Sequence, residues 1–196
     1  MMMAVDESIG KIRNYLSETG LDKNTAVIFL GDQGSHFNNS PLRGGKAGGT
    51  ALYEGGARIP LTITWPVEIP KGTQNHTPVS TVDLFPTLLE IAGGKPSKYN
   101  NLDGVSLLGS ARNDLPLNRE EIFLYRSYED QYAAVRSGDW KMIAYRSGKA
   151  ELYNLQNDLS EKNDVHSKHP EVTENLRRKL AEWEKRMEGH KIRAKQ

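Results

Sequence analysis

A six-residue apolar run, Thr25–Leu30 (TAVIFL), lies between a helical stripe and an acidic turn, and that order restricts the folds open to the chain. Val5, Ile9, Ile12 and Leu16 recur at spacings of four, three and four residues, which puts them on one face of a helix. Gly20 follows where a helix C-terminus accepts a left-handed residue. The run itself is short, unbroken and partly β-branched, the pattern of a buried strand in a parallel or mixed sheet. Helix, short turn and buried strand make an α/β unit. Arg58–Trp65 (RIPLTITW) predicts a second strand closed by Pro66. Ser80–Asp83 starts a helix that carries Pro86 in its first turn and stops at Gly93-Gly94. Asp83 reads there as a helix cap rather than a catalytic acid.

The pattern changes at Glu120. EIFLYRSY, QYAAVRSG, WKMIAYRS and AELYNLQ are short, rich in aromatic and β-branched residues, and separated by Asp, Gly or Ser-Gly turns. Such spacing predicts an antiparallel meander. Val172, Leu176, Leu180, Trp183 and Met187 form a helical stripe after Pro170. The fold class is therefore α/β over residues 1–118, then a small α+β subdomain over 119–196 with a four-stranded antiparallel sheet and a C-terminal helix. Residues 95–118, rich in Asn, Gly, Pro and Ser, read as a loop that wraps to the second of these.

Charge excludes some functions. Lys and Arg total 26 against 25 Asp and Glu, a net charge of +1, so neither a nucleic-acid surface nor a polybasic membrane patch is indicated. No apolar run reaches the roughly 20 residues of a membrane span. MMMAVDESIGKIRNYL lacks the cationic and apolar regions of a signal peptide and opens directly into a helical pattern. Cysteine is absent, which removes disulfides and thiolate chemistry.

Asp32 and Gln33 follow the first strand at its C-terminal end, the edge where open α/β sheets bind ligands. A carboxylate and an amide carbonyl are hard oxygen donors that suit Ca²⁺ or Mg²⁺, although Ca²⁺ takes about six to eight oxygens. The same Asp-Gln-Gly also makes an ordinary strand-ending turn. Lys46 lies in Leu42-Arg43-Gly44-Gly45-Lys46-Ala47-Gly48-Gly49, where glycines admit an anion close to the backbone and the lysine adds a point charge. It is not a P-loop, because Ser40 and Ala47 replace the first glycine and the final Ser/Thr, and a solvated surface loop has the same composition. His36 is a further candidate substrate contact. Tyr53-Glu54-Gly55-Gly56 reads as a turn. No nucleophile motif is present: Gly-x-Ser-x-Gly and His-Glu-x-x-His are both absent.

Taken in order, VDESIGKIRNYLSETG, TAVIFLGDQG, PLRGGKAGGTALYEGGARIPL, TPVSTVDLFPTLLEIAGG, LDGVSLL, AAVRSGDWKMI and AELYNLQNDLSEKNDV resemble the C-terminal half of a type I sulfatase of the alkaline phosphatase superfamily. The resemblance implies that residues 1–118 belong to an alkaline-phosphatase-like mixed sheet flanked by helices, within a sulfuric ester hydrolase. It implies Ca²⁺-ligand roles for Asp32 and Gln33, with Mg²⁺ as the alternative. Gln33 stands where Asn is more usual; it keeps the carbonyl oxygen but adds a methylene. It also implies a sulfate contact for Lys46. The family nucleophile, a Cys or Ser of a C/S-x-P-x-R motif converted to formylglycine, is not in this sequence. Catalytic residues are therefore expected in a missing N-terminal half of the catalytic domain, which becomes an expected partner, and the chain alone is expected to be inactive. Carbohydrate, aryl and steroid sulfates are all candidate substrates. Family members are exported, periplasmic or lysosomal. Two other readings stand beside this one. The chain could be a non-catalytic metal-binding or complementing module, or half of a phosphoester or phosphonate monoester hydrolase of the same superfamily.

Overall fold

The computed structural model describes residues 2–193. In chain order the elements are α1 (Met2–Glu18), β1 (Val27–Leu30), α2 (Glu54–Ala57), β2 (Leu61–Thr64), α3 (Leu84–Ile91), α4 (Leu108–Asn113), β3 (Glu121–Tyr125), β4 (Gln131–Ser137), β5 (Trp140–Tyr145), β6 (Ala150–Asn154) and α5 (Pro170–Arg193). They form two compact units, Met1–Leu30 with Pro60–Asn118, and Gly31–Ile59 with Arg119–Gln196. The glycine-rich segment thus clusters with the C-terminal sheet, whereas the sequence reading grouped it with the residues up to 118.

In the first unit α1 ends as its glycine dictates. Gly20 takes φ +71°, and Leu21 N–H reaches back to the Leu16 carbonyl at 2.8 Å. Strand β1 differs from the expectation of a buried strand. It pairs antiparallel with β2, Val27 opposite Thr64 and Leu30 opposite Leu61, and none of its residues is fully buried. The cause is the two-stranded sheet, in which a short ribbon has no neighbours to cover both faces. The stripe on α1 is likewise uncovered, with Val5 40% and Ile12 56% exposed. What core there is gathers Trp65, Ile69 and Leu108, with Ile63 and Ile91 packed against them. The expected cap on α3 is present as a reciprocal pair between Ser80 and the fully buried Asp83. Asp83 also accepts the Val105 N–H at 3.0 Å, which ties the connecting segment to the helix start.

The second unit contains the predicted meander, in the order β3-β4-β5-β6 with every neighbour antiparallel. The β4–β5 turn is only Gly138-Asp139, with Gly138 at φ +57°. Alternation along the strands gives the sheet two faces. One carries Ala133, Val135, Met142, Ala144, Ala150 and Leu152, and α5 covers it through Leu176 and Leu180. Trp183 stacks on Phe123 with ring centroids 5.1 Å apart. The opposite face carries Ala134, Ile143 and Tyr153, and Leu52 and Tyr53 of the glycine-rich segment cover it. A register shift between Gln131 and Ala133 interrupts the alternation, and the buried Gln131 side chain accepts the Leu52 N–H at 3.1 Å.

Candidate functional site

The chain leaves β1 through Gly31 and presents Asp32 and Gln33 as exposed side chains. The Asp32 carboxylate accepts the Gln33 N–H at 2.8 Å, and its other oxygen meets the Lys46 ammonium at 2.5 Å. The lysine beside it, together with the Gln33 N–H, holds the Asp32 carboxyl below its ordinary range, so the group is anionic at neutral pH. The pair is open to water, with side-chain exposure of 79% for Asp32 and 34% for Lys46.

One side chain and several backbone hydrogen bonds bring these residues together across 14 positions. Asn39 closes the intervening loop: it accepts the Ser35 N–H at 2.9 Å and donates to the Ser35 and Gly44 carbonyls at 2.9 and 3.0 Å. Lys46 N–H then pairs with the Ser35 carbonyl at 3.1 Å. Beneath both strands of the loop lies the single helical turn α2 with Tyr53 at its N-cap, where the sequence predicted a non-helical turn. Gly34 donates to the Gly56 carbonyl at 3.0 Å, and Gly55 donates to the Arg43 carbonyl at 2.7 Å. These backbones touch so closely that a Cβ on Gly34 would fall 1.7 Å from the Gly55 oxygen. Glycine here serves close approach, not a left-handed angle.

The turn rests on a buried polar layer on the sheet face opposite α5. Lys141, 1% exposed, sits between the carboxylates of Glu54 and Glu161 at 2.8 and 3.0 Å. Glu161 also accepts the Glu54 N–H at 2.6 Å, and burial pushes its carboxyl above the ordinary range despite the lysine. Arg43 donates to the Tyr153 hydroxyl at 2.8 Å and to the Glu161 carbonyl at 2.9 Å, with its guanidinium 3.9 Å from the centre of the Tyr53 ring. Glu151 collects hydrogen bonds from Tyr53, Lys149 and Tyr153 at 2.5, 2.6 and 2.9 Å. Burial alone would raise the Glu151 carboxyl, but these donors outweigh it and bring it to about 2. Desolvation and the same carboxylate push the Tyr53 and Tyr153 hydroxyls upward.

Of the four residues singled out from the sequence, the structure joins Asp32 and Lys46 directly and sets Gln33 next to Asp32. His36 is exposed on the bend after Ser35, and among the described residues no hydrogen bond or ion pair joins it to the others. The sequence reading overlooked the layer below: Lys141, Glu151 and Glu161. One signal was available, since Lys141 and Glu151 occupy strand positions in register with the apolar Ile143 and Tyr153. For a metal, Asp32 and Gln33 offer two hard oxygens, which fit a Ca²⁺ or Mg²⁺ shell only in part. No group of three or more His, Cys, Asp or Glu among the described residues completes one. What the geometry provides is a cation on a firm backbone, one hydrogen bond from an ionised oxygen donor.

The sulfatase family model matches residues 1–94, and the model for the C-terminal region of N-sulphoglucosamine sulphohydrolase matches residues 49–186. A sulfatase of Formosa agariphila is 33% identical over 212 residues, an alignment covering 91% of this chain and 38% of that protein. Among solved structures, Ps i-CgsB in complex with k-i-k-neocarrahexaose aligns with a TM-score of 0.82 and 31% identity, over 93% of this chain and 41% of the other. BT4656 in complex with its substrate D-glucosamine-2-N,6-O-disulfate aligns with a TM-score of 0.77 and 26% identity, over 94% and 39%. The chain spans about two fifths of the length of these proteins. Its mixed α/β fold, with four-stranded antiparallel sheet and C-terminal helix, is that of the sulfatase structures.

Proposed function

The chain belongs to the sulfatase family, and from that membership we propose that it forms the sulfate-recognising wall of a sulfuric ester hydrolase. Lys46 donates to the non-bridging oxygens of the sulfuryl group. Asp32 and Gln33 contribute two oxygens to a Ca²⁺ or Mg²⁺ site whose other ligands lie outside the described residues. A metal bound there supplies a Lewis acid for the sulfuryl oxygens. The single observation that carries this reading is the 2.5 Å contact between Lys46 and Asp32. A sulfate held by the lysine would lie beside a metal held by the aspartate, where both charges can stabilise oxygens that grow more negative as the S–O bond breaks.

The nucleophile must come from elsewhere, since the sequence has no cysteine and no S-x-P-x-R. The uncovered Val5, Ile12 and Phe29 are apolar surface that the rest of a sulfatase catalytic domain would cover. Sulfated carbohydrate is the favoured substrate class, because two of the similar solved proteins are in complex with saccharides.

The test pairs binding with turnover. Sulfate titrated by NMR should shift the Lys46 signals, and Lys46→Ala should weaken that binding. Asp32→Asn should abolish Ca²⁺ uptake seen by calorimetry while leaving the unfolding midpoint unchanged, because an exposed ion pair adds little to stability. The chain should not hydrolyse an aryl sulfate by itself, and should do so when joined to a segment carrying C/S-x-P-x-R. Turnover by the chain alone would refute the missing nucleophile, and unchanged sulfate binding by Lys46→Ala would refute the role of the lysine.

A further inference from the structure

Three buried ionisable side chains that contact neither Asp32 nor Lys46 lie under the site, Glu54, Lys141 and Glu161, with the exposed Arg43 beside them. Burying such groups is costly unless each is paired and hydrogen-bonded. Their arrangement is one-sided in charge. Glu54 and Glu161 share a single ammonium at 2.8 and 3.0 Å, and all three residues are at most 4% exposed. An apolar triplet would fill the same space without the desolvation cost, so stability is a poor account of why the charges are there.

Glu161 shows what the arrangement accomplishes. Its carboxylate holds the Glu54 N–H at 2.6 Å, its carbonyl holds the Arg43 guanidinium at 2.9 Å, and its backbone sits at φ +51°. A non-glycine residue in that region is strained and persists only when its surroundings fix it. Glu161 therefore grips the glycine-rich segment at two places. One leads through Glu54 to Gly55 and Gly56, whose backbones hold Arg43 and Gly34. The other is Arg43 itself, three residues before Lys46.

We infer that Glu161, with Lys141, is a positioning residue: it fixes the height and direction from which Lys46 meets an anion, acting through the Glu54–Gly56 turn and Arg43. The inference rests on the reading of Lys46 as the sulfate contact, and it adds a role for the C-terminal sheet in that contact. Neither Glu161 nor Lys141 touches the sulfate.

The experiment is amide hydrogen exchange and sulfate titration on the chain carrying Glu161→Gln. Glutamine keeps the shape and an acceptor oxygen, and leaves Lys141 and Glu54 as a neutral pair, so the sheet keeps its fold. Losing the charge on the acceptor weakens the grip, because charge-assisted hydrogen bonds are about twice as strong as neutral ones. The Glu54, Gly55, Gly34 and Lys46 amides should exchange about tenfold faster, while Val135 and Leu152 in the sheet do not change. Sulfate affinity should fall several-fold, and Glu161→Asp should not restore it, because the shorter side chain cannot reach Glu54 N–H. Arg43→Met removes the second grip from a more exposed position and should accelerate the same amides, which keeps the test open if Glu161→Gln unfolds. Equal acceleration of sheet and loop amides would reduce Glu161 to a structural residue and overturn the inference. So would unchanged loop exchange. Lys46→Ala measured alongside separates the two levels. If it leaves sulfate binding unchanged, the functional reading fails, and the exchange pattern still decides whether Glu161 holds the loop.

Discussion

Lys141→Met removes one charge and almost no volume, and its consequence can be worked from the layer it occupies. The ammonium is 1% exposed and lies between two carboxylates that are themselves 6% and 0% exposed. Without it, the Glu161 carboxylate has no cation and Glu54 keeps only the half-exposed Arg58 at 4.0 Å, and water cannot reach the two carboxylates to compensate. Removing one member of such a buried set costs about 3–5 kcal/mol, a large share of the ~5–15 kcal/mol that holds a typical domain together. The variant has one way to reduce that cost, which is to bind a proton on one of the two carboxyls. Burial already raises Glu161 above its ordinary value of 4.5 in the intact protein, and losing the lysine raises it further. The sign follows from linkage. A carboxyl whose folded value exceeds its unfolded value stabilises the fold less as pH rises from the unfolded value through the folded one. Urea unfolding of Lys141→Met should therefore show a smaller deficit at pH 5 than at pH 8. Adding Glu161→Gln to Lys141→Met should recover part of the loss, because one carboxylate then disappears. A deficit below about 1 kcal/mol, equal at both pH values, would refute the claim that the three charges act as a buried set.

Three further outcomes follow from the same unit. Gly34→Ala would place a methyl 1.7 Å from the Gly55 carbonyl oxygen, backbone that cannot step aside, and should cost about 3 kcal/mol or more in thermal unfolding. Gly138→Ala, whose Cβ meets nothing within 4 Å, should cost only the ~1 kcal/mol of its positive φ. Tyr53→Phe deletes the 2.5 Å donor to Glu151, and the carboxyl should move up from about 2 toward its ordinary value, read as a carbon-13 titration. A depressed carboxylate stabilises the fold above its unfolded value and loses that contribution as pH falls through the folded one. Acid unfolding between pH 4.5 and 2 should therefore be less steep in Tyr53→Phe than in the parent chain; identical slopes would mean that Tyr53 does not hold Glu151 ionised.

The meander and both long helices were legible because each follows a period that only one backbone satisfies. Leu176 and Leu180 repeat at helical spacing, and β3 to β6 are bounded by turn residues. The caps were legible for a similar reason: Gly20, and Ser80 with Asp83, act through backbone groups a few residues away. Pairing partners were less visible. Val27–Leu30 has the composition of a buried strand, but which strand lies beside it depends on where the chain returns, and here β2 comes back antiparallel. Asp32 and Lys46 were picked out singly, and their residue types carry no record of being within one hydrogen bond of each other.

By itself, then, the sequence determined the long elements, the order in which they come and the residue types at the loop, because propensity, periodicity and capping act over a few residues, whereas the short helices α2 and α4 lie in segments that read as turn and loop. The tertiary structure decided what lies on the second face of the C-terminal sheet. The strand pattern of β5 and β6 reads as a sheet with one helix across it, and nothing in it singles out Lys141 or Glu151. The face is instead closed by a segment about 90 residues earlier, where Tyr53 meets Glu151 and Glu54 meets Lys141. A charge that water solvates can be buried only where an opposite charge and hydrogen bonds meet it, and only the long-range fold determines whether they do.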